Sequence, residues 1–167
     1  MKKERISHIC NHAGSTGYEP AVSTKENQME PLREDIIVDI DKNRERFFGT
    51  SGKMLLPCPA TVETLLNKLP ENKLVTIDFI RKELANQFNV QVTCPFNTKL
   101  CLRAIANDST KQIAYWRVIR ANGELIAYFP GGVEGQAALL DGEGYIIDYE
   151  GKKPKVKNFK VSLVRFD

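Results

Sequence analysis

The sequence predicts an α+β protein, because helical patterns and strand-like patterns follow one another along a chain of ordinary globular composition. Hydrophobic residues make up 42% and charged residues 27% of the 167 residues. These values are close to globular averages and exclude a wholly disordered or low-complexity chain. Three amphipathic patterns precede segments rich in aromatic and β-branched residues. Helices followed by a hairpin are typical of a winged-helix domain.

Residues 1–50 are expected to form an N-terminal arm, and residues 51–167 the compact domain. Residues 11–33 consist largely of Gly, Ser, Thr, Pro, Asn and Glu. Such a composition buries too little apolar surface to offset the entropy lost on ordering. The arm is therefore predicted to be partly disordered, with ordered structure only near residues 35–48.

A strand and a short helix are predicted at the end of this arm. Residues 36–40 alternate in the manner of a short strand. Asp41 is expected to cap a helix that runs through Phe48 and ends at Gly49.

Three amphipathic helices are predicted in the compact domain. Thr61 and Thr76 are the expected N-caps of the first two helices, and Pro70 stops the first. Leucine, isoleucine and valine recur at spacings of three and four in each of them. The predicted helices run from about Thr61 to Leu69, from about Ile77 to Gln87 and from Pro95 to about Asn107.

Strand-like patterns dominate the remainder of the chain. Residues 115–119 and 125–129 flank the turn signal Asn122-Gly123, which predicts a β-hairpin. Residues 133–141 predict a further helix. Two closing strands, residues 145–149 and 159–165, are predicted to be joined by a Lys-rich link, residues 151–157.

Charge and hydropathy limit the classes of partner. Residues 1–50 contain 8 Lys/Arg and 9 Asp/Glu, whereas residues 51–167 contain 16 and 12. This mildly basic second part permits an anionic partner without demanding one. No apolar run approaches the roughly 20 residues of a membrane helix, and Met1–Arg5 leads into no apolar signal-peptide core. We therefore expect a cytoplasmic protein with no membrane partner.

The cysteines do not predict a metal or redox centre. The four cysteines are Cys10, Cys58, Cys94 and Cys101. They form no Cys-x-x-Cys pair, which argues against a zinc ribbon and a thioredoxin-like site. His8, Cys10 and His12 alternate and would suit zinc, but a fourth ligand is missing. We therefore interpret them as part of a polar tail and expect neither a metal nor another cofactor.

Several short sequence motifs follow one another in a characteristic order between residues 69 and 144. They are Leu69-Pro70-Glu71-Asn72-Lys73-Leu74-Val75-Thr76, Arg117-Val118-Ile119-Arg120-Ala121-Asn122-Gly123, Pro130-Gly131-Gly132-Val133, Leu139-Leu140 and Glu143-Gly144. Through them residues 60–147 resemble the DNA-binding domain of the alkylguanine-DNA alkyltransferases and their alkyltransferase-like relatives. Residues 115–118 and 128–134 resemble a bacterial methyltransferase-related branch of that superfamily.

The reactive group of the true alkyltransferases is absent from the corresponding position. Their motif Pro-Cys-His-Arg-Val, laid on residues 114–118, places Tyr115 at the nucleophilic cysteine and Trp116 at the histidine. A tyrosine with a pKa of about 10 supplies little phenoxide at neutral pH. The resemblance therefore implies that suicide alkyl transfer is lost and that no residue is catalytic. The arginine of this motif and the glutamate of the family's Glu-Gly motif are both present, as Arg117 and Glu143.

The resemblance implies a DNA-binding helix at about residues 96–107. Ile77 stands where the family has a tyrosine that turns the target nucleotide out of the duplex, and Lys99 stands near its arginine finger. A slip of one residue would put Thr98 there. The implied DNA-binding residues are Thr76, Ile77, Lys99, Arg103 and Asn107. The implied pocket residues are Tyr115, Trp116, Arg117, Phe129, Gly131, Gly132 and Glu143.

The leading hypothesis is a DNA-binding protein related to the repair of alkylated guanine, with double-stranded DNA and a repair protein as candidate partners. Two alternatives stay open, a protein-interaction module on the same scaffold and a methyltransferase that uses another cysteine, Cys94 or Cys101. Tyr115 and Trp116 either form a lesion-sensing pocket or fill an abandoned active site. The lysines of residues 152–160 either contact phosphate or belong to a solvated loop.

Overall fold

The computed structural model describes residues 29–165, and the described residues from Pro31 onward belong to one compact unit. Five α-helices and seven short strands alternate within it. This mixture confirms the predicted α+β class. In the described part of the chain, no helix has the length and apolar character that a membrane span requires.

The helices and strands are short, and two 3-10 turns accompany them. The helices are α1 (Lys42–Phe48), α2 (Pro59–Leu66), α3 (Ile77–Gln87), α4 (Pro95–Asn107) and α5 (Gly132–Gly142). The strands are β1 (Ile36–Asp39), β2 (Lys53–Leu56), β3 (Val75–Thr76), β4 (Val92–Thr93), β5 (Val118–Ile119), β6 (Ile147–Asp148) and β7 (Lys155–Val156). The 3-10 turns are Tyr115–Arg117 and Phe159–Ser162.

The strand and helix predicted at the end of the arm are confirmed. Asp41 caps α1 by accepting a hydrogen bond of 2.9 Å from the Arg44 backbone N–H. Gly49 ends the helix at a φ of 69°, a conformation in which glycine carries no steric penalty. β1 pairs antiparallel with β2, and β4 joins β2 in parallel, so β2 is the central strand of a three-stranded sheet.

The predictions for α3 and α4 are confirmed. The Thr76 hydroxyl caps α3 by accepting from the Phe79 backbone N–H at 3.1 Å. α4 begins at Pro95, where a missing N–H costs nothing, and ends at Asn107 as predicted. Its apolar face is buried against α2 and α3 in the largest core cluster, whereas Lys99 and Arg103 are partly exposed.

The bounds predicted for the first helix of the compact domain were wrong. α2 begins at Pro59, with Cys58 as its N-cap residue, and ends at Leu66. Thr61 does not cap the helix, because its hydroxyl donates instead to the Asp35 carboxylate. A proline at the first helical position starts the helix without a side-chain cap.

The predicted β-hairpin is wrong, although its turn is present. Arg120 and Gly123 form the expected turn, with the Gly123 N–H donating to the Arg120 carbonyl at 2.9 Å. The segment after the turn is not a strand, because its backbone donors have other partners. Leu125 N–H donates to the Pro154 carbonyl, and Ile126 N–H donates to the Gln136 side chain. β5 pairs instead in parallel with β3.

A C-terminal strand pair is present, but its second strand lies earlier than predicted. β6 pairs antiparallel with β7, which falls inside the predicted Lys-rich link. Asn158 then adopts a φ of 52° and turns the chain into the second 3-10 turn. Leu163 forms a parallel bridge with Leu74. The alternation at residues 159–165 therefore reflects contacts of a turn with the core, not a strand.

Candidate nucleic-acid interface

Arg117 and Glu143 form a largely buried ion pair at the predicted pocket. Arg117 Nε donates to both carboxylate oxygens at 3.1 and 3.0 Å, and Nη2 donates to Oε1 at 2.6 Å. Their side chains are only 13% and 19% exposed. The pair thereby joins the first 3-10 turn to the end of α5, two segments 26 residues apart.

The protonation of this pair follows from its geometry. Burial alone would raise the pKa of Glu143, but the hydrogen bonds and positive charge of Arg117 outweigh burial and lower that pKa. The pKa of Arg117 is raised, chiefly by the hydrogen bond to Glu143. The Trp116 side chain also contributes to the lowering of the Glu143 pKa. Both partners are therefore charged at neutral pH.

Four aromatic rings form a continuous row beside this pair. Tyr115 contacts Trp116 with ring centroids 5.4 Å apart and Phe129 with centroids 5.1 Å apart. Tyr128 contacts Phe129 at 5.3 Å. All three contacts are edge to face, the arrangement favoured by the quadrupoles of aromatic rings. The three predicted pocket aromatics therefore lie together and pack against one another.

A buried glutamine holds the segments that carry these rings. Gln136 is fully buried on α5. Its Oε1 accepts from Ile126 N–H at 2.6 Å, and its Nε2 donates to the carbonyls of Trp116 at 2.9 Å and Val118 at 2.7 Å. Three satisfied hydrogen bonds offset the cost of burying an amide. Gln136 therefore fixes the 3-10 turn and the 125–129 segment relative to α5.

The predicted pocket glycines start helix α5. Gly131 and Gly132 have φ values of 76° and 66°, which side-chain-bearing residues rarely adopt. Gly132 N–H donates to the Phe129 carbonyl at 2.8 Å. The two glycines therefore reverse the chain directly after Phe129, and this geometry accounts for their presence.

An open pocket of about 680 Å³ lies at the Tyr128 end of the aromatic row. Ile77 and Lys99, both predicted to contact DNA, line this pocket together with Tyr128. The Lys99 Nζ lies 5.4 Å from the centroid of the Tyr128 ring, within the range of a cation–π interaction. Other side chains that line it are Asp78, Arg81, Arg120 and Glu124.

Basic side chains surround Tyr128 from two elements. Burial raises the pKa of Tyr128 to about 12, and the charges of Arg120 and Arg103 act against this rise. Arg120 lines the open pocket with Tyr128 and Lys99, and Arg103 lies one helical turn after Lys99 on α4. Lys99, Arg103 and Arg120 are here called the Tyr128 basic cluster. The cluster joins one face of α4 to the turn after β5.

Two of the predicted DNA-binding residues make structural hydrogen bonds. The hydroxyl of Thr76 caps α3, as described above, and the Asn107 side chain donates to the Arg103 carbonyl at 2.8 Å. Both side chains stabilise the ends of helices. Their predicted contacts with DNA stay predictions.

The described cysteines are poorly placed for nucleophilic chemistry. Cys58, Cys94 and Cys101 are free and buried. Burial, with smaller contributions from Cys58 and Asp35, raises the pKa of Cys101 to about 12, and its thiol donates to the Pro57 carbonyl. A thiol with so high a pKa supplies almost no thiolate at neutral pH.

Metal ligands do not cluster among residues 29–165, where no group of three or more His, Cys, Asp or Glu side chains is arranged to hold a metal ion. The alternating residues His8, Cys10 and His12 lie outside the described residues. The interpretation of those three residues as a polar tail stays a prediction.

Sequence reasoning missed three residues that shape the site. Tyr128 and Arg120 both fall inside the motifs quoted above, and nothing in the sequence marks either one as a site residue. Both are brought to α4 by tertiary contacts. Gln136 had a usable signal, because it is an amide on the apolar face of α5, between Val133 and Leu140. A polar group at such a position needs buried partners.

Comparison with known proteins gives a likeness to solved structures. No protein-family model matches the chain, and no curated protein matches it. Two solved structures do match, S. pombe ATL in complex with DNA and S. pombe Atl1 in complex with damaged DNA that contains O6-carboxymethylguanine. Each is 17% identical to this chain, with a TM-score of 0.49, and the match covers 64% of this chain and 94% of the other. These two structures are structural neighbours of the chain.

Proposed function

We propose that this protein binds duplex DNA, that it recognises alkylated guanine, and that it does not transfer the alkyl group to itself. The observation that carries the proposal is the Tyr128 basic cluster beside an open pocket. Lysine and arginine side chains on a helix face are the groups that neutralise DNA phosphates. The sequence resemblance independently implies that α4 is the DNA-binding helix.

The acidic residues of the pocket leave the surface net basic. Asp78 lies 3.6 Å from Arg81, and Glu124 lies 4.0 Å from Lys153. These ion pairs compensate the two carboxylates that line the pocket. Phosphates approaching Lys99 and Arg120 would therefore meet little uncompensated negative charge.

The aromatic row supports a role in holding a base. Tyr128 lines the open pocket, the buried Phe129 contacts Tyr128, and Tyr115 contacts Phe129. A base turned out of the duplex would stack beside Tyr128, and stacking on an aromatic ring contributes about 1 to 3 kcal/mol per base. In this proposal Tyr115, Trp116 and Phe129 support the stacking ring from behind, and a repair protein would act on the bound lesion afterwards.

The absence of alkyl transfer follows in this proposal from Tyr115. With a phenol at the position of the family's cysteine, the thiol group that would accept the alkyl group is missing. The alternative of a displaced nucleophile finds no support at Cys94 or Cys101, because both side chains are buried.

The proposal is tested by replacing Lys99 and Arg103 together with alanine and measuring duplex binding by fluorescence anisotropy over a range of salt concentrations. We expect at least tenfold weaker binding at low salt. Each lost phosphate contact should reduce the slope of log K against log salt by about 0.9.

The matched control replaces Lys42 and Arg46, two exposed basic residues on α1, with alanine. This control also removes two positive charges, but from a helix that is distant in sequence from α4. If both double variants bind alike, α4 is not in the interface and the proposal is contradicted.

A further inference from the structure

The Lys-rich C-terminal segment is fixed beside the turn that lines the open pocket. Leu125 N–H donates to the Pro154 carbonyl, and Val156 N–H donates to the Gly123 carbonyl, each at 3.0 Å. Glu124 forms an antiparallel bridge with Lys155. The backbone of β7 is therefore anchored to the same turn that presents Arg120.

Side-chain packing reinforces this attachment. A Cβ atom placed on Gly123 would lie 2.5 Å from the Phe159 ring, closer than real contacts allow. Only glycine permits the turn and the 3-10 turn after β7 to approach this closely. The Lys-rich segment is therefore a fixed continuation of the pocket's edge.

The lysines of this segment project from an ordered backbone. Val156 is 1% exposed, and successive side chains of a strand point to opposite faces, so Lys155 and Lys157 point outwards. Together with Lys160 they line a depression of about 570 Å³. Within residues 29–165, none of these three lysines takes part in an ion pair.

Positive charge exceeds negative charge in this segment, although Asp148 lies opposite Lys155 in the β6–β7 pair. Residues 148–165 contain six Lys or Arg and two Asp or Glu. Like charges held close together repel and reduce stability unless an anionic partner neutralises them. The fixed segment therefore has the charge and position of a binding surface.

We infer that Lys155, Lys157 and Lys160 form a second phosphate-binding surface, which extends the DNA interface beyond the Tyr128 basic cluster. The inference rests on the proposed function, because both surfaces contact one duplex. The β7 segment adjoins the pocket-lining turn, so one continuous polyanion would reach both. Its contacts are to the sugar-phosphate backbone and carry no sequence preference.

The test replaces Lys155, Lys157 and Lys160 together with glutamine and measures binding to an unmodified duplex by anisotropy across a salt series. Loss of three phosphate contacts should reduce the slope of log K against log salt by about 2 to 3. The matched control replaces Lys42, Arg46 and Lys68, three exposed basic residues elsewhere, with glutamine. Thermal unfolding of each variant verifies folding, and a variant limited to Lys157 and Lys160 avoids β7 altogether.

The outcomes separate the inference from the proposed function. A reduced slope in the triple variant, with a wild-type slope in the control, supports the second surface. Equal slopes in the two triple variants overturn it while leaving DNA binding intact. No duplex binding by the wild-type protein overturns the proposed function and this inference together. If polyglutamate displaces the labelled duplex as well as unlabelled duplex DNA does at equal charge concentration, the partner is an acidic protein and the inference is also overturned.

Discussion

Arg117 and Glu143 show how much one pair of side chains determines in this site. Their ion pair holds the first 3-10 turn against the end of α5, and both side chains are mostly shielded from water. Removing one member of such a pair leaves the other buried without its partner, which costs more than the pair itself contributes. The pair therefore belongs to the framework that positions Tyr115 and Trp116.

We predict that Glu143→Gln lowers the free energy of unfolding by about 2 kcal/mol at pH 7. Because the folded state lowers the pKa of Glu143, its contribution is complete above the unfolded-state pKa of about 4.3 and is lost as pH falls through the folded-state pKa. Urea unfolding at pH 7 and at pH 3.5 should therefore show a smaller difference from wild type at the lower pH.

The control for this measurement is Glu150→Gln, which changes an exposed carboxylate in the same region. It should change stability by less than about 0.5 kcal/mol. A Glu143→Gln variant as stable as this control would show that the ion pair does not hold the framework.

The start of helix α5 positions two parts of the site, the chain reversal after Phe129 and the buried Gln136. Gly135 lies in its first turns, and a Cβ atom there would lie 2.5 Å from the Pro130 carbonyl oxygen. The chain reversal after Phe129 is therefore packed tightly against the helix that carries Gln136. The position of Phe129 relative to Gln136 therefore depends on where α5 begins.

Gly135→Ala should lower the free energy of unfolding by about 1 to 3 kcal/mol, because the backbone must shift to relieve the contact. Gly142→Ala is the matched control at the other end of the same helix, where nothing lies within 4 Å of the added atom. It should be neutral or stabilise by up to about 1 kcal/mol. Thermal unfolding that ranks the two variants in the opposite order would contradict this account of α5.

Elements were predictable where their signals are local. Asp41 and Thr76 cap their helices through hydrogen bonds to residues three positions away, so sequence alone located α1 and α3. The predicted hairpin is absent, because the backbone N–H groups after its turn donate to groups that are distant in sequence. Leu125 and Ile126 donate to groups 29 and 10 residues further along the chain, and no periodicity encodes those pairings.

At the scale of the whole molecule, the structure places several predicted site residues near one another, and it adds Tyr128, Arg120 and Gln136 to them. Tyr115 contacts Trp116 and Phe129, and the predicted roles of these three residues as a pocket and towards DNA stay predictions. The convergence of Arg120 with α4 around Tyr128 was not predictable, because it depends on how the turn after β5 docks. The net charge of +3 also conceals this local concentration of basic side chains.

Fluorescence anisotropy with two labelled duplexes that differ by one O6-methylated guanine, measured at low salt with the wild-type chain, tests the central claim most directly. We predict binding to both duplexes and tighter binding to the methylated one. Equal affinities would contradict recognition of the lesion while leaving general DNA binding. Absence of binding to either duplex would contradict the account as a whole and leave a protein-interaction module on this scaffold.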